Sequence, residues 1–188
     1  MTIFWIILVI VVLIVLAVVG IYNSLVSLKL RTENAWAQID TQLKRRFDLI
    51  PNLVETVKGY AKHESETLER VVEARNQYVA ANGSVEGAAR AEGMLEGAVK
   101  QLFALAENYP DLKANQNFAN LHVELTGTED KIAYARQFYN DTVQMYNEKL
   151  MVFPNNIVVS MFGANKFTPK AFFEIANEVE RENVKVSF

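Results

Sequence analysis

Residues 36–61 read WAQIDTQLKRRFDLIPNLVETVKGYA, and this stretch decides the fold. Its apolar positions, Trp36, Ile39, Leu43, Phe47, Ile50, Val54, Val57 and Ala61, recur at intervals of three and four. Side chains return to one face of an α-helix at that period, whereas a strand alternates every second residue. Lys44, Arg45, Asp48 and Glu55 fall off this seam, so the spacing predicts an amphipathic helix running to about residue 62. Pro51 lies inside it. Proline has no N–H and its ring crowds the preceding turn, which predicts a kink near residues 47–51.

Toward the N-terminus the pattern changes character. Residues 1–28 carry no charged side chain, and residues 3–21, IFWIILVIVVLIVLAVVGI, are apolar throughout apart from Gly20. At about 1.5 Å per residue the run reaches roughly 28 Å, enough to cross the hydrocarbon core of a bilayer as a helix. A cleaved signal peptide would have a basic start, a shorter apolar region and a small-residue cleavage site, and none of these is present. Residues 1–28 are therefore expected to be a retained anchor. Trp5 and Tyr22 stand where interfacial aromatics hold such a helix. Ile3, Ile7, Val11, Ile14 and Val18 form one face that suits lateral packing into a homo-oligomer. Lys29, Arg31 and Lys44-Arg45-Arg46 follow the run, with no basic side chain before it. The positive-inside rule then gives a single-pass protein of the cell (inner) membrane, N-terminus outside and the remainder in the cytoplasm.

Toward the C-terminus helical periodicity persists. A second helix starts at Ser65 or Thr67, or continues the first. Asn82-Gly83-Ser84 is a turn with an N-cap serine. The helix 85–108 is rich in small residues, with Gly93-x-x-x-Gly97 allowing close packing, and Tyr109-Pro110-Asp111 ends it. A last helix over 112–152 carries the seam Phe118, Leu121, Leu125, Ile132, Tyr139, Val143, Tyr146 and Leu150, with a bend expected at Gly127-Thr128-Glu129. Phe153-Pro154-Asn155-Asn156 stops it. Lengths of roughly 50, 25, 35 and 60 Å cancel in an up-down-up-down path. The expected fold is all-α: an N-terminal transmembrane helix continuing into an antiparallel four-helix bundle of long, coiled-coil-like helices. The expected segments are the anchor 1–28, the bundle 29–152 and an apolar C-terminal part 153–188. That last part gathers Phe153, Ile157, Val159, Met161, Phe162, Phe167 and Phe172, and three readings stand for it: packing on the base of the bundle, a partner surface, or contact with lipid headgroups.

Little chemistry is legible. The net charge is −3, from 19 basic and 22 acidic residues, with no basic stripe of the kind nucleic acid requires. Cysteine is absent, which excludes disulfides and thiol chemistry. The only histidines are His63, expected at an exposed helix end, and His122, expected buried beside the seam. A di-iron bundle needs Glu-x-x-His motifs, but Tyr60 and Ala119 occupy the positions three before these histidines. No catalytic triad, phosphate loop or metal cluster appears, so no catalytic residue, cofactor or metal is expected. Arg136 interrupts the last seam and either snorkels at its edge or pairs with a carboxylate on another helix.

The chain resembles LemA family membrane proteins. The resemblance lies in the anchor, Ala35-Trp36-Ala37-Gln38-Ile39-Asp40, Gln42-Leu43-Lys44-Arg45-Arg46, Asp48-Leu49-Ile50-Pro51-Asn52-Leu53-Val54, Val57-Lys58-Gly59-Tyr60 and His63-Glu64. Later come Glu107-Asn108-Tyr109-Pro110-Asp111-Leu112, Asn140, Tyr146-Asn147, Phe153-Pro154, Phe162-Gly163 and Phe172-Phe173-Glu174. It implies an anchored antiparallel helical bundle without catalytic activity. It also implies association with membrane protein-quality-control partners, a protease or chaperone, including a membrane zinc protease often encoded nearby. The family motif carries over onto Arg46, Pro51 and Asn52, with Asn52 expected to bridge a carbonyl freed by the kink. The expected function is a membrane-anchored scaffold or adaptor acting through membrane lipid, itself and partner proteins. The alternatives are a membrane-remodelling protein and a sensory bundle with a ligand pocket near Tyr109, Tyr139 and Tyr146.

Overall fold

The computed structural model describes residues 1–61, 64–163 and 165–174, so the expectation for His63 lies outside the described residues. These residues are helical or irregular, with no strand among them. The elements are α1 (Thr2–Asp48), α2 (Ile50–Lys58), α3 (Ser65–Ala81), α4 (Val85–Ala106), α5 (Pro110–Lys113), α6 (Gln116–Met151) and α7 (Asn155–Phe162). Among the described residues two compact units form: Met1–Ala37 with Gln137–Ala171, and Gln38–Arg136 with residues 172–174.

In the first unit the side chains of residues 3–17 are exposed, and packing begins beyond them. Leu25 of α1, Tyr146 and Leu150 of α6, Val158 of α7 and Phe167 make a buried cluster, with Val18, Ile21, Tyr22, Val26, Leu28 and Val159 around it. The buried Tyr146 hydroxyl has no hydrogen-bond partner among the described residues, whereas two other polar side chains near this core are satisfied locally. Thr32 donates to the Lys29 carbonyl at 2.7 Å, and Asn155 donates to the Lys149 carbonyl at 3.1 Å.

The second unit buries Ile39, Leu43, Phe47, Ile50, Val54, Val57 and Ala61, the seam read from residues 36–61; Trp36, in the first unit, is half-buried. The helix is interrupted at Leu49. Its amide bonds the Arg46 carbonyl, three residues back, at 3.2 Å, and Pro51 occupies the first turn of α2. A proline there gives up an N–H that a helix start leaves unpaired anyway. α2 packs on α3, and α3 and α4 form a helical hairpin. The turn between them has Asn82 at φ 46° and Gly83 at φ 80°, left-handed values that these two residue types tolerate best. Ser84 then caps α4, accepting from the Gly87 amide at 3.2 Å. A Cβ on Gly87 would lie 2.7 Å from the Ala81 Cβ, so the hairpin closes only over a glycine.

Several boundaries differ from those expected. α2 ends at Lys58, short of the expected residue 62, while α3 begins at Ser65, one of the two expected starts, so it does not continue the preceding helix. The expected helix 112–152 is two pieces, because Asn115 accepts from the Phe118 amide at 3.1 Å and starts α6 afresh. α6 then passes through Gly127-Thr128-Glu129 without interruption. The Thr128 hydroxyl donates back to the Leu125 carbonyl at 2.7 Å and stays within the helix. His122 is exposed rather than buried, its ring stacked 4.1 Å from that of Phe103.

Candidate functional site

Two places concentrate unusual side chains, one in each unit. In the second unit Arg46 and Glu92 are each only 2% exposed, and Arg46 Nη1 donates to Glu92 Oε1. Arg46 follows Leu43 by three residues and precedes Ile50 by four; Glu92 follows Ala88 by four and precedes Leu95 by three. Both therefore lie on the buried faces of their helices, and an isolated charge there would be untenable. Arg46 Nη2 also lies 3.5 Å from Oε2 of the half-exposed Glu129. Arg46 Nε and Glu92 Oε2 have no hydrogen-bond partner among the described residues.

Burial pushes the Glu92 carboxyl up to about 7, while Arg46 and Arg136 pull it down and Glu96 and Glu129 push it up. Half-buried Arg136 thus acts on this carboxylate through its charge. A carboxyl whose folded value is raised holds its proton more tightly folded than unfolded. Its stabilising contribution is complete below the ordinary carboxylate range and is lost as pH rises through about 7. Relative to Glu92→Gln, which cannot ionise, the natural chain is expected to lose on the order of 3 kcal/mol of stability between pH 4.5 and pH 8. Thermal unfolding of both proteins across that range checks this, and parallel curves would refute it.

Nearby, the Phe47 and Tyr78 rings stack 4.4 Å apart, and the Tyr78 hydroxyl donates to Asp40 Oδ1 at 2.8 Å. Burial and the Asp40 carboxylate hold that phenol well above its usual range. An open groove of about 600 Å³ runs between α2 and α3, lined by Val54, Lys58, Leu68, Glu69, Val72 and Glu73 among others.

In the first unit the residues following α7 return to α1. Tyr22 lies 4.8 Å from the Phe162 ring and 5.7 Å, edge-on, from that of Phe167. Lys166 donates to the Tyr22 hydroxyl and sits 5.0 Å from its ring centroid. Lys29 donates to the Lys166 carbonyl at 3.3 Å. Asn147 of α6 grips residue 170 twice: its Nδ2 donates to the Lys170 carbonyl and its Oδ1 accepts from the Lys170 amide, both at 2.9 Å. Tyr139 donates to the Ala171 carbonyl at 2.8 Å. Tyr146 is fully buried, and burial together with Glu33 pushes its phenol up.

Of the anchor residues, Ile3, Trp5, Ile7, Val11 and Ile14 are exposed, while Val18 and Tyr22 are half-buried against the cluster. In the C-terminal segment Phe167 is buried and Val159 half-buried. Phe153 at 79%, Ile157 at 50%, Met161 at 65%, Phe162 at 46% and Phe172 at 40% remain exposed. Pro51 and Asn52 are exposed; the Asn52 carbonyl, rather than its side chain, is engaged, by the Thr56 hydroxyl at 2.8 Å. Tyr139 and Tyr146 belong to the first unit and Tyr109 to the second, where its hydroxyl donates to Glu64 Oε1 at 3.1 Å.

From the sequence Arg46 is read as part of the basic cluster after the anchor and of the kink motif, not as a buried charge, and Glu92 is missed. The available signal was the arithmetic of spacing: each is a charged residue three or four positions from apolar residues on both sides.

The model of the LemA family matches residues 35–188, so residues 1–34 lie outside the match. Protein LemA of Metamycoplasma hominis is 28% identical over 174 residues, 90% of this chain and 75% of its own length. Magnetosome proteins MamQ 2 and MamQ 1 of Paramagnetospirillum magneticum are each 24% identical, covering 76% of this chain; the chain spans only 61% of their length. None of these names is that of an enzyme. By a match that covers everything from the start of the seam to the last residue, the chain belongs to the LemA family.

Proposed function

We propose that the chain is a single-pass membrane protein whose helical part serves as a non-enzymatic interaction module. The carrying observation is the change in burial along α1: every side chain from Ile3 to Ala17 is exposed, yet Leu25 is fully buried. An apolar helix with no protein around it, running straight into packed structure, suits hydrocarbon on one side and a folded base on the other. One such helix, long and apolar enough to cross a membrane, is present among the described residues. The basic cluster after it, Lys29, Arg31 and Lys44-Arg45-Arg46, supports an N-terminus outside and the remainder in the cytoplasm. The α3–α4 hairpin and the length of α6 support an antiparallel four-helix arrangement over residues 29–152.

The role we assign is scaffolding through self-association and through a membrane protease or chaperone. The apolar anchor face is available to a second copy at Ile3, Ile7, Val11 and Ile14, all exposed, with Val18 at its half-buried end. Chemical crosslinking in native membranes, followed by affinity isolation, tests both. A dimer or higher ladder with a repeatable protease or chaperone band is expected. Monomer bands alone at every crosslinker dose remove self-association, and isolation without such a band removes the adaptor role.

A further inference from the structure

We infer that α7 lies along the lipid headgroup layer, with Phe153, Ile157 and Met161 dipping into the acyl boundary and Lys29 and Lys166 holding the phosphates of anionic lipid. This rests on residues 3–21 crossing the bilayer. The apolar run ends at Ile21. Val158 and Phe167 pack in one cluster with Val18, Ile21, Tyr22 and Leu25, the turn before that end and the turn after it. Headgroup layers are about 5–7 Å thick on each side, the rise of about four helical residues. Packing therefore puts α7 at the depth where the anchor leaves hydrocarbon.

Composition fits that depth. No charged residue occurs from Met151 to Gly163, while Lys149, Lys166 and Lys170 flank the stretch. Ile157 and Met161 stand one turn apart on a single stripe of α7, Phe153 lies in the turn before it, and all three are at least half exposed although Val158 is buried. Such a surface is costly in water and favourable between headgroups and acyl chains. Tyr22 supplies an interfacial aromatic, and Lys166 lies over its ring with its ammonium exposed. The cations, one on α1 and one in the segment after α7, face the headgroups while the α7 stripe faces the acyl boundary, so the packed cluster makes both contacts. The anchor is then a post, and α7 a collar that fixes its depth and rotation.

Spin labelling tests this on the full chain, which contains no native cysteine to interfere. Ile157→Cys and Met161→Cys replace exposed side chains. Leu13→Cys in the anchor and Asn117→Cys on the exposed face of α6 serve as references. The proteins are reconstituted into phosphatidylcholine vesicles with or without phosphatidylglycerol, and label collisions with oxygen and with an aqueous nickel chelate are compared. Labels at 157 and 161 are expected to favour oxygen several-fold more than the label at 117 does. Exchanging Lys29 and Lys166 for glutamine should reduce that contrast with phosphatidylglycerol and leave it unchanged without. Aqueous behaviour at 157 and 161 with lipid exposure at 13 overturns the collar and leaves the anchor standing. Exclusion of both reagents from 157 and 161 also overturns it, because protein then covers the stripe. Aqueous behaviour at 13 overturns the anchor and the collar together.

Discussion

Replacing Arg46 by alanine is expected to lower the unfolding free energy of the detergent-solubilised chain by about 3–5 kcal/mol at pH 7, the cost of breaking a buried ion pair from one side. The guanidinium is 2% exposed and belongs to the largest fully buried side chain among the described residues. Its loss leaves a cavity and removes the main influence that holds the Glu92 carboxyl down, so Glu92 takes up a proton. Domains are stable by about 5–15 kcal/mol in total, so the loss is a large fraction of the whole. Exposed pairs such as Arg70 with Glu66 contribute little by comparison. The informative partner experiment is the double exchange Arg46→Met with Glu92→Leu. Apolar groups of similar volume leave no charge behind, and stability is expected to return to within about 1 kcal/mol of the natural value or above it. A double variant as unstable as the sum of the two singles would mean that the pair does not act as a unit.

Phe167→Ala is the second large effect, and it is expected to be local. The ring is 2% exposed, edge-on to Tyr22, and closes the cluster formed by Leu25, Tyr146, Leu150 and Val158. Removing a buried phenyl costs about 3–5 kcal/mol. Besides that ring, residues 165–171 are tied down by a few polar contacts from Lys29, Tyr22, Asn147 and Tyr139. The segment is therefore expected to open without global unfolding. The amides of Lys166 and Lys170, bonded to the Gly163 carbonyl and to Asn147 Oδ1, should exchange with deuterium roughly a hundredfold faster or more. Phe153→Ala, at a ring 79% exposed, should leave the same two amides unchanged. Equal exchange in both variants would remove Phe167 as the clasp.

The buried seam from Ile39 to Ala61 was legible because a half-buried helix writes its period into the sequence. The interruption at Leu49 was legible too, through the chemistry of Pro51. Other features depend on neighbours distant in sequence. Asn115 makes its cap while its own amide donates to the Tyr60 hydroxyl, 55 residues away, at 2.9 Å. Glu92 on an alanine- and glycine-rich helix reads as a solvated charge until Arg46, 46 residues earlier, is brought against it. His122 was misread because a single face is hard to follow along the 36 residues of α6. In the segment after Met151 composition announced an apolar cluster. Without one continuous helix there is no period to separate the buried Val158 and Phe167 from the exposed Phe153 and Met161.

The grip of Asn147 on residue 170 has a consequence for sequence change. Both of its hydrogen bonds read peptide groups, as a neighbouring strand would, and neither touches the side chain at 170. The Lys170 ammonium lies 3.7 Å from Glu33 Oε1, a long contact partly in solvent. Position 170 is thus open to any residue that keeps an N–H, proline alone being barred. Position 147 is closed: aspartate has no donor to offer, leucine has neither group, and glutamine carries its amide one carbon too far. Drift in this part of the chain is free to rewrite the residue that is held and constrained to keep the residue that holds it.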